Sequence, residues 1–134
     1  MSHEVAAALI IQSQKILLGL RSASRTFYPN VWDVFGGHME SGERQEETLV
    51  RELEEELGIA PSERKYLETL HEPTAALTVH LYLVTAWTGT PVNRQPEEHS
   101  EIGWFSLVQA IQLPLADPAY PALFARYLAS GTKH

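Results

Sequence analysis

The stretch from Glu40 to Glu56 constrains this chain more than any other. It carries eight glutamates, yet it also carries the apolar spacing of a packed helix. Leu49, Val50, Leu53 and Leu57 recur at intervals of three and four residues, so the spacing predicts a helix over Arg44–Leu57 with one apolar stripe. Gly58 stands where a helix C-terminal glycine belongs. With Glu52 set at the origin and about 100° per residue, Glu56 falls at about 40° and Glu55 at about 300°. The stripe falls between about 60° and 160°. Three carboxylates therefore share one face, about a quarter-turn from the core side. A helix with one apolar stripe must bury it against another layer, so the chain has to supply a sheet or a second helix.

The rest of the chain supplies a sheet. Val5–Gln12 reads as a buried strand and Lys15–Leu20 as a second, joined through Ser13-Gln14 as a hairpin. Arg21–Asn30 is polar and ends in the turn residues Tyr28-Pro29-Asn30. Val31–Phe35 reads as a short strand stopped by Gly36-Gly37, and Gly37–Glu43 as a loop. Lys65–His71 and Leu77–Trp87 read as strands, the second alternating Val79, Leu81 and Leu83 against His80 and Tyr82. Thr88–Glu98 is a polar loop and Ile102–Phe105 a short strand. Ser106 caps a short helix through Gln112. Asp117-Pro118 opens a last helix that packs Tyr120, Leu123, Phe124, Tyr127 and Leu128 on one side and stops near Gly131. This order predicts an α/β protein, a mixed sheet with helices on its faces.

The chain has 134 residues, which predicts a single domain spanning residues 1–134. It has no cysteine, which excludes disulfides, thiolate metal sites and a cysteine nucleophile. The net charge of −7 argues against a general binder of polymeric nucleic acid, which needs a basic face. The longest apolar runs, such as Ala6–Ile11, are too short to span a bilayer, and Met1-Ser2-His3-Glu4 does not open a secretory signal. A cytoplasmic protein with no membrane partner is the expectation.

Like charges three and four residues apart repel along a helix, and Arg51 is the one cation near them. Three carboxylates converging without a lysine suit a hard divalent cation with oxygen ligands. Zinc is disfavoured because no histidine or cysteine shares the face. Such a cation reverses the local sign, so an anionic polyphosphate can enter an acidic site. Gly36, Gly37 and Gly42 precede the helix and give a loop able to cradle phosphate at its N-terminus. Glu43 stands at the loop–helix junction, within reach of a metal or its water.

These residues match a family pattern. The segment 37–59, GHMESGERQEETLVRELEEELGI, resembles the Nudix hydrolase box, G-x5-E-x7-R-E-U-x-E-E-x-G-U with U apolar. Gly37, Glu43, Arg51, Glu52, Leu53, Glu55, Glu56, Gly58 and Ile59 fill every fixed position. Many members carry proline where Phe35 stands. The resemblance implies a Nudix-type α/β/α sandwich with a mixed sheet between helices. It also implies hydrolysis of a nucleoside diphosphate linked to another moiety, with Mg²⁺ (Mn²⁺ as a substitute) and water attack at phosphorus. Carried over by position, Glu52, Glu55 and Glu56 would ligate metal, with Glu55 and Glu56 also counted as catalytic. Glu43 would be a further metal- or water-positioning carboxylate, and Arg51 would orient the glutamates.

Outside the box, Glu97 and Glu98 lie where family members often supply another carboxylate, and Glu98 is the preferred candidate. Arg21 closes the second strand and, with Gly36 and Gly37, is a candidate to meet the substrate's phosphates. Glu40, Glu46, Glu47 and Glu54 read as surface charges, and His38 as a loop residue. The compact chain resembles MutT-like nucleoside triphosphate pyrophosphohydrolases, in which the products are a monophosphate and pyrophosphate. The alternative is a pyrophosphatase of ADP-ribose or another nucleotide sugar. Pro73, fourteen positions beyond Ile59, lies close to where that subgroup often carries proline. More distant alternatives are a non-catalytic nucleotide-binding module and a metal-dependent isomerase on the same fold. The former usually loses a box glutamate, and the latter typically carries a cysteine. The expected partner is a small nucleoside diphosphate derivative, bound by a monomer or homodimer.

Overall fold

The computed structural model describes residues 3–26, 28–72 and 76–130. Pro73 and the expected helix end at Gly131 lie outside the described residues. The backbone groups into two compact units, one made of the chain up to Ile10 with Phe35–Arg94, the other of Ile11–Val34 with the chain from Gln95 onward. Strand β1 (His3–Gln12) runs from the first into the second.

The first unit is a mixed sheet with one helix. Strand β1 pairs antiparallel with β4 (Phe35–His38), from Val5 opposite His38 to Ala8 opposite Phe35. Its other edge pairs in parallel with β6 (Leu77–Thr88), from His3 opposite Leu77 to Ile10 opposite Val84. A central strand of this kind is buried on both faces, which explains the uninterrupted apolar run Ala6–Ile10. Strand β5 (Ala60–Glu72) pairs antiparallel with β6 and bulges near Pro61 and Tyr66. Helix α1 (Gln45–Leu57) packs against β4 and β5. Its start is fixed by the Arg44 N–H, which donates to Glu47 Oε1 at 2.8 Å. Its end is fixed by Gly58, which takes the left-handed conformation at φ 72° and donates its N–H to the Glu54 carbonyl.

The second unit is built around β2 (Lys15–Arg21). Ser13 and Gln14 both have positive φ, 53° and 63°, the backbone a two-residue hairpin needs, and they return the chain from Gln12 to Lys15. Strand β2 lies between β3 (Trp32–Asp33) and β7 (His99–Phe105), antiparallel to both. Ser106 caps α2 (Leu107–Ala110), its hydroxyl accepting from the Gln109 N–H. Asp117 Oδ1 accepts the Ala119 N–H at 2.8 Å and leads into α3 (Tyr120–Ser130), which buries Tyr120, Leu123, Phe124 and Leu128.

The α/β class and the mixed sheet are as expected. Two details differ. The expected strand Val31–Phe35 is two strands, because Asp33 Oδ1 takes the Val34 N–H at 2.8 Å and interrupts the ladder there. Gly36 and Gly37 do not stop a strand; they pair with Ala7 and Ala6 inside β4. Val50, expected in the apolar stripe, is 37% exposed, whereas Glu56 is 5% exposed. The stripe centres on Leu53, so Val50 sits about 60° to one side of it and Glu56 about 60° to the other. The sheet covers the side that carries Glu56.

Candidate catalytic and metal-binding site

In the first unit, Arg51 gathers the box carboxylates. Its Nε donates to Glu43 Oε2 at 2.7 Å and its Nη2 to Glu43 Oε1 at 3.0 Å, a two-pronged pair. Nη1 donates to Glu52 at 2.9 Å and to Glu55 at 3.4 Å, and lies 3.8 Å from Glu40. Nη2 also donates to the His38 carbonyl at 3.1 Å, which ties the helix to the end of β4. The Glu43 carboxyl is held down at about 2, first by the hydrogen bonds from Arg51, then by those from the Glu40 N–H and the Thr48 hydroxyl. The guanidinium is raised in turn by Glu43 first and then by Glu52. Glu40, read from the sequence as a surface charge, thus contributes its backbone N–H, 3.0 Å from Glu43 Oε1.

The three expected ligands are graded from core to solvent. Glu56 is buried and accepts the Gly36 N–H at 3.1 Å. That N–H therefore holds a carboxylate. Glu52 lies against Gly37, where an added Cβ would collide with its carboxylate. An added Cβ at Gly36 would collide with the Ala6 carbonyl. The two glycines let β4 run directly beneath the acidic helix face. Glu55 is half-exposed and is held toward Arg51. Among the described residues, Glu52, Glu55 and Glu56 do not offer three oxygens all within 4.8 Å of one another.

The donors fit a hard divalent cation. They are carboxylate oxygens with no sulfur, and Gly37 leaves the room that the Glu52 carboxylate occupies, which any larger residue would take from it. Glu52, Glu55 and Glu56 could hold such an ion.

Arg21 and Glu98 belong to the second unit. Arg21 Nε donates to the Tyr28 carbonyl at 3.0 Å, and its Nη1 lies 3.8 Å from Asp33. Glu98 lies 3.6 Å from Arg25, and its carbonyl accepts the Ser22 N–H. Three features of this unit escaped the sequence reading. Tyr120 donates its hydroxyl to Asp33 at 2.7 Å. Desolvation raises the Asp33 carboxyl, against the pull of Tyr120, Arg21 and the Val34 N–H. His99 is buried, and burial, with Arg25 and Arg21 adding to it, lowers its imidazole to about 4. A lone aspartate between Trp32 and Val34 was the available signal for the first pair. Nothing in the local pattern distinguished His99.

Residues 1–127 match the NUDIX domain, and the chain belongs to that family. It is 37% identical over 124 residues to the CTP pyrophosphohydrolase of Escherichia coli, covering 91% of this chain and 89% of that protein. It is 33% identical over 109 residues to the 8-oxo-dGTP diphosphatase of the same organism, covering 78% and 81%. The crystal structure of a MutT NUDIX hydrolase from Burkholderia pseudomallei has the same fold, with a TM-score of 0.80 at 28% identity over 94% of this chain and 97% of that one. Among the described residues, no helix is long and apolar enough to cross a membrane.

Proposed function

We propose that this protein is a divalent-metal-dependent Nudix pyrophosphohydrolase that splits a nucleoside triphosphate into a monophosphate and pyrophosphate. The observation that carries the reading is the box helix itself. Glu52 and Glu56 lie over a Gly36-Gly37 strand that only glycine permits, beside a Glu43–Arg51 pair. The family and the triphosphate-directed names of two relatives support the substrate class.

The proposed roles follow from the contacts. Glu52, Glu55 and Glu56 hold Mg²⁺, for which Mn²⁺ can substitute. When bound, such an ion offsets phosphate charge and makes water a stronger nucleophile. Glu43, ionised at any physiological pH, orients a water for attack at phosphorus. Arg51 fixes Glu43 and Glu52 in their rotamers. Gly36 and Gly37 give the backbone its close approach. Within the second unit, Arg21 is assigned to an anionic group of the substrate and Glu98 is an additional carboxylate.

The test is a panel of ordinary and oxidised nucleoside triphosphates, ADP-ribose, nucleotide sugars and dinucleoside polyphosphates, each with Mg²⁺ in ¹⁸O-water. The expected result is pyrophosphate release from a triphosphate, with label in a phosphorus-containing product. Release of labelled monophosphates from ADP-ribose alone would replace the triphosphate assignment, and no turnover anywhere in the panel would reject hydrolysis.

A further inference from the structure

Thr48 sits in the second turn of α1, is fully buried and is polar. A β-branched residue there is a poorer helix former than alanine, and a buried hydroxyl has to be hydrogen-bonded. The usual partner of such a hydroxyl is the carbonyl four residues back. Here the Arg44 carbonyl accepts the Thr48 N–H, and the hydroxyl turns instead to Glu43 Oε1 at 2.6 Å. That oxygen also receives Arg51 Nη2 and the Glu40 N–H, both at 3.0 Å. Among these bonds, Oε2 receives Arg51 Nε alone. Three donors on one oxygen and one on the other make the two oxygens inequivalent and fix the rotation of the carboxylate.

We infer that Thr48 is a positioning residue for Glu43, its hydroxyl occupying Oε1 so that Oε2 is the oxygen left to act. The inference rests on the reading that Glu43 serves the reaction. Arg51 alone does not settle the matter, because a guanidinium fork pairs with a carboxylate from either side. Thr48 is fixed on the helix, and together with the Glu40 N–H it selects one orientation.

The experiment compares T48V, T48A and T48S, in the wild-type background and with E43Q. Valine keeps the shape and removes the hydroxyl, alanine removes both, and serine keeps the hydroxyl. Losing a hydrogen bond to a charged acceptor predicts about a tenfold fall in kcat for T48V and T48A, with KM within about twofold. T48S stays within about twofold of wild type. In the E43Q background T48V adds no further loss, the mark of two residues acting as one unit. A second readout needs no turnover. In metal-free protein the Arg51 Nε–H and Glu43 carboxyl NMR signals move in T48V and T48A and not in T48S. Full activity with unmoved signals in T48V and T48A overturns the inference, as does an equal loss in the E43Q background. Wild-type turnover in E43Q itself overturns the role given to Glu43, which separates that failure from a failure of Thr48.

Discussion

Arg51 acts through its shape as much as its charge. A lysine carries one charged nitrogen and cannot bond Glu43 twice while also reaching Glu52 and the His38 carbonyl. Arg51→Lys is therefore expected to lower kcat/KM by about 10–100-fold while the chain stays folded, read by steady-state kinetics beside circular dichroism. The same pair gives a pH signature. The Glu43 carboxyl has an ordinary value of 4.5 when unfolded and about 2 when folded. The unfolded chain thus binds the proton first as pH falls. This stabilisation is whole above pH 4.5 and is lost between there and pH 2. His99 works in a higher window. Its imidazole falls from 6.5 to about 4 on folding, so stability is lost as pH drops from 6.5 toward 4. Urea midpoints should show His99→Gln flattening the slope above pH 4 and Glu43→Gln flattening it below 4.5. An unchanged slope in either variant contradicts the corresponding assignment. Of these residues, Glu43 and Arg51 were legible because a spaced pattern exposed them. His99 was not, because burial in a β-strand leaves no local mark on a single histidine.

The elements were legible where a period was strong. Helix α1 was readable through Leu49, Leu53 and Leu57, and Gly58 marked its end. Strand β4 was misread because two successive glycines ordinarily end a strand. Here they are demanded by neighbours far away in sequence, the Ala6 carbonyl for Gly36 and the Glu52 carboxylate for Gly37. The two obstacles differ in stiffness, and that separates two variants. In Gly36→Ala the new methyl meets backbone, so β4 must leave β1, and a loss of several degrees in Tm is expected. In Gly37→Ala it meets the end of a flexible side chain, so the fold holds and Glu52 is pushed aside. Gly37→Ala should therefore keep most of its Tm and lose most of its metal-dependent turnover. Equal thermal losses in the two variants would mean that Gly37 serves the strand rather than the carboxylate.

At the scale of the whole molecule, the charge of −7 is not spread evenly. Eight of the seventeen acidic residues fall between Glu40 and Glu56, and Arg51 lies among Glu40, Glu43, Glu52 and Glu55. One guanidinium cannot neutralise four carboxylates, and Glu56 is a fifth, buried from water. Such a charge excess is tolerable where a divalent cation completes it, and the energetic consequence is linkage. An ion that binds the folded chain and not the unfolded one stabilises by about 2.7 kcal/mol at a hundred times its dissociation constant. Millimolar Mg²⁺ or Mn²⁺ should therefore raise Tm by several degrees, whereas NaCl at matched ionic strength, which only screens, should not. Glu56→Gln should raise the metal-free Tm, because it removes a buried charge from a like-charged cluster, and should abolish the metal-dependent rise. Differential scanning fluorimetry with and without a chelator reads both effects. A rise in Tm that survives in Glu56→Gln, or one that NaCl reproduces, would assign the stabilisation to general screening and remove the thermodynamic support for metal ligation by that carboxylate.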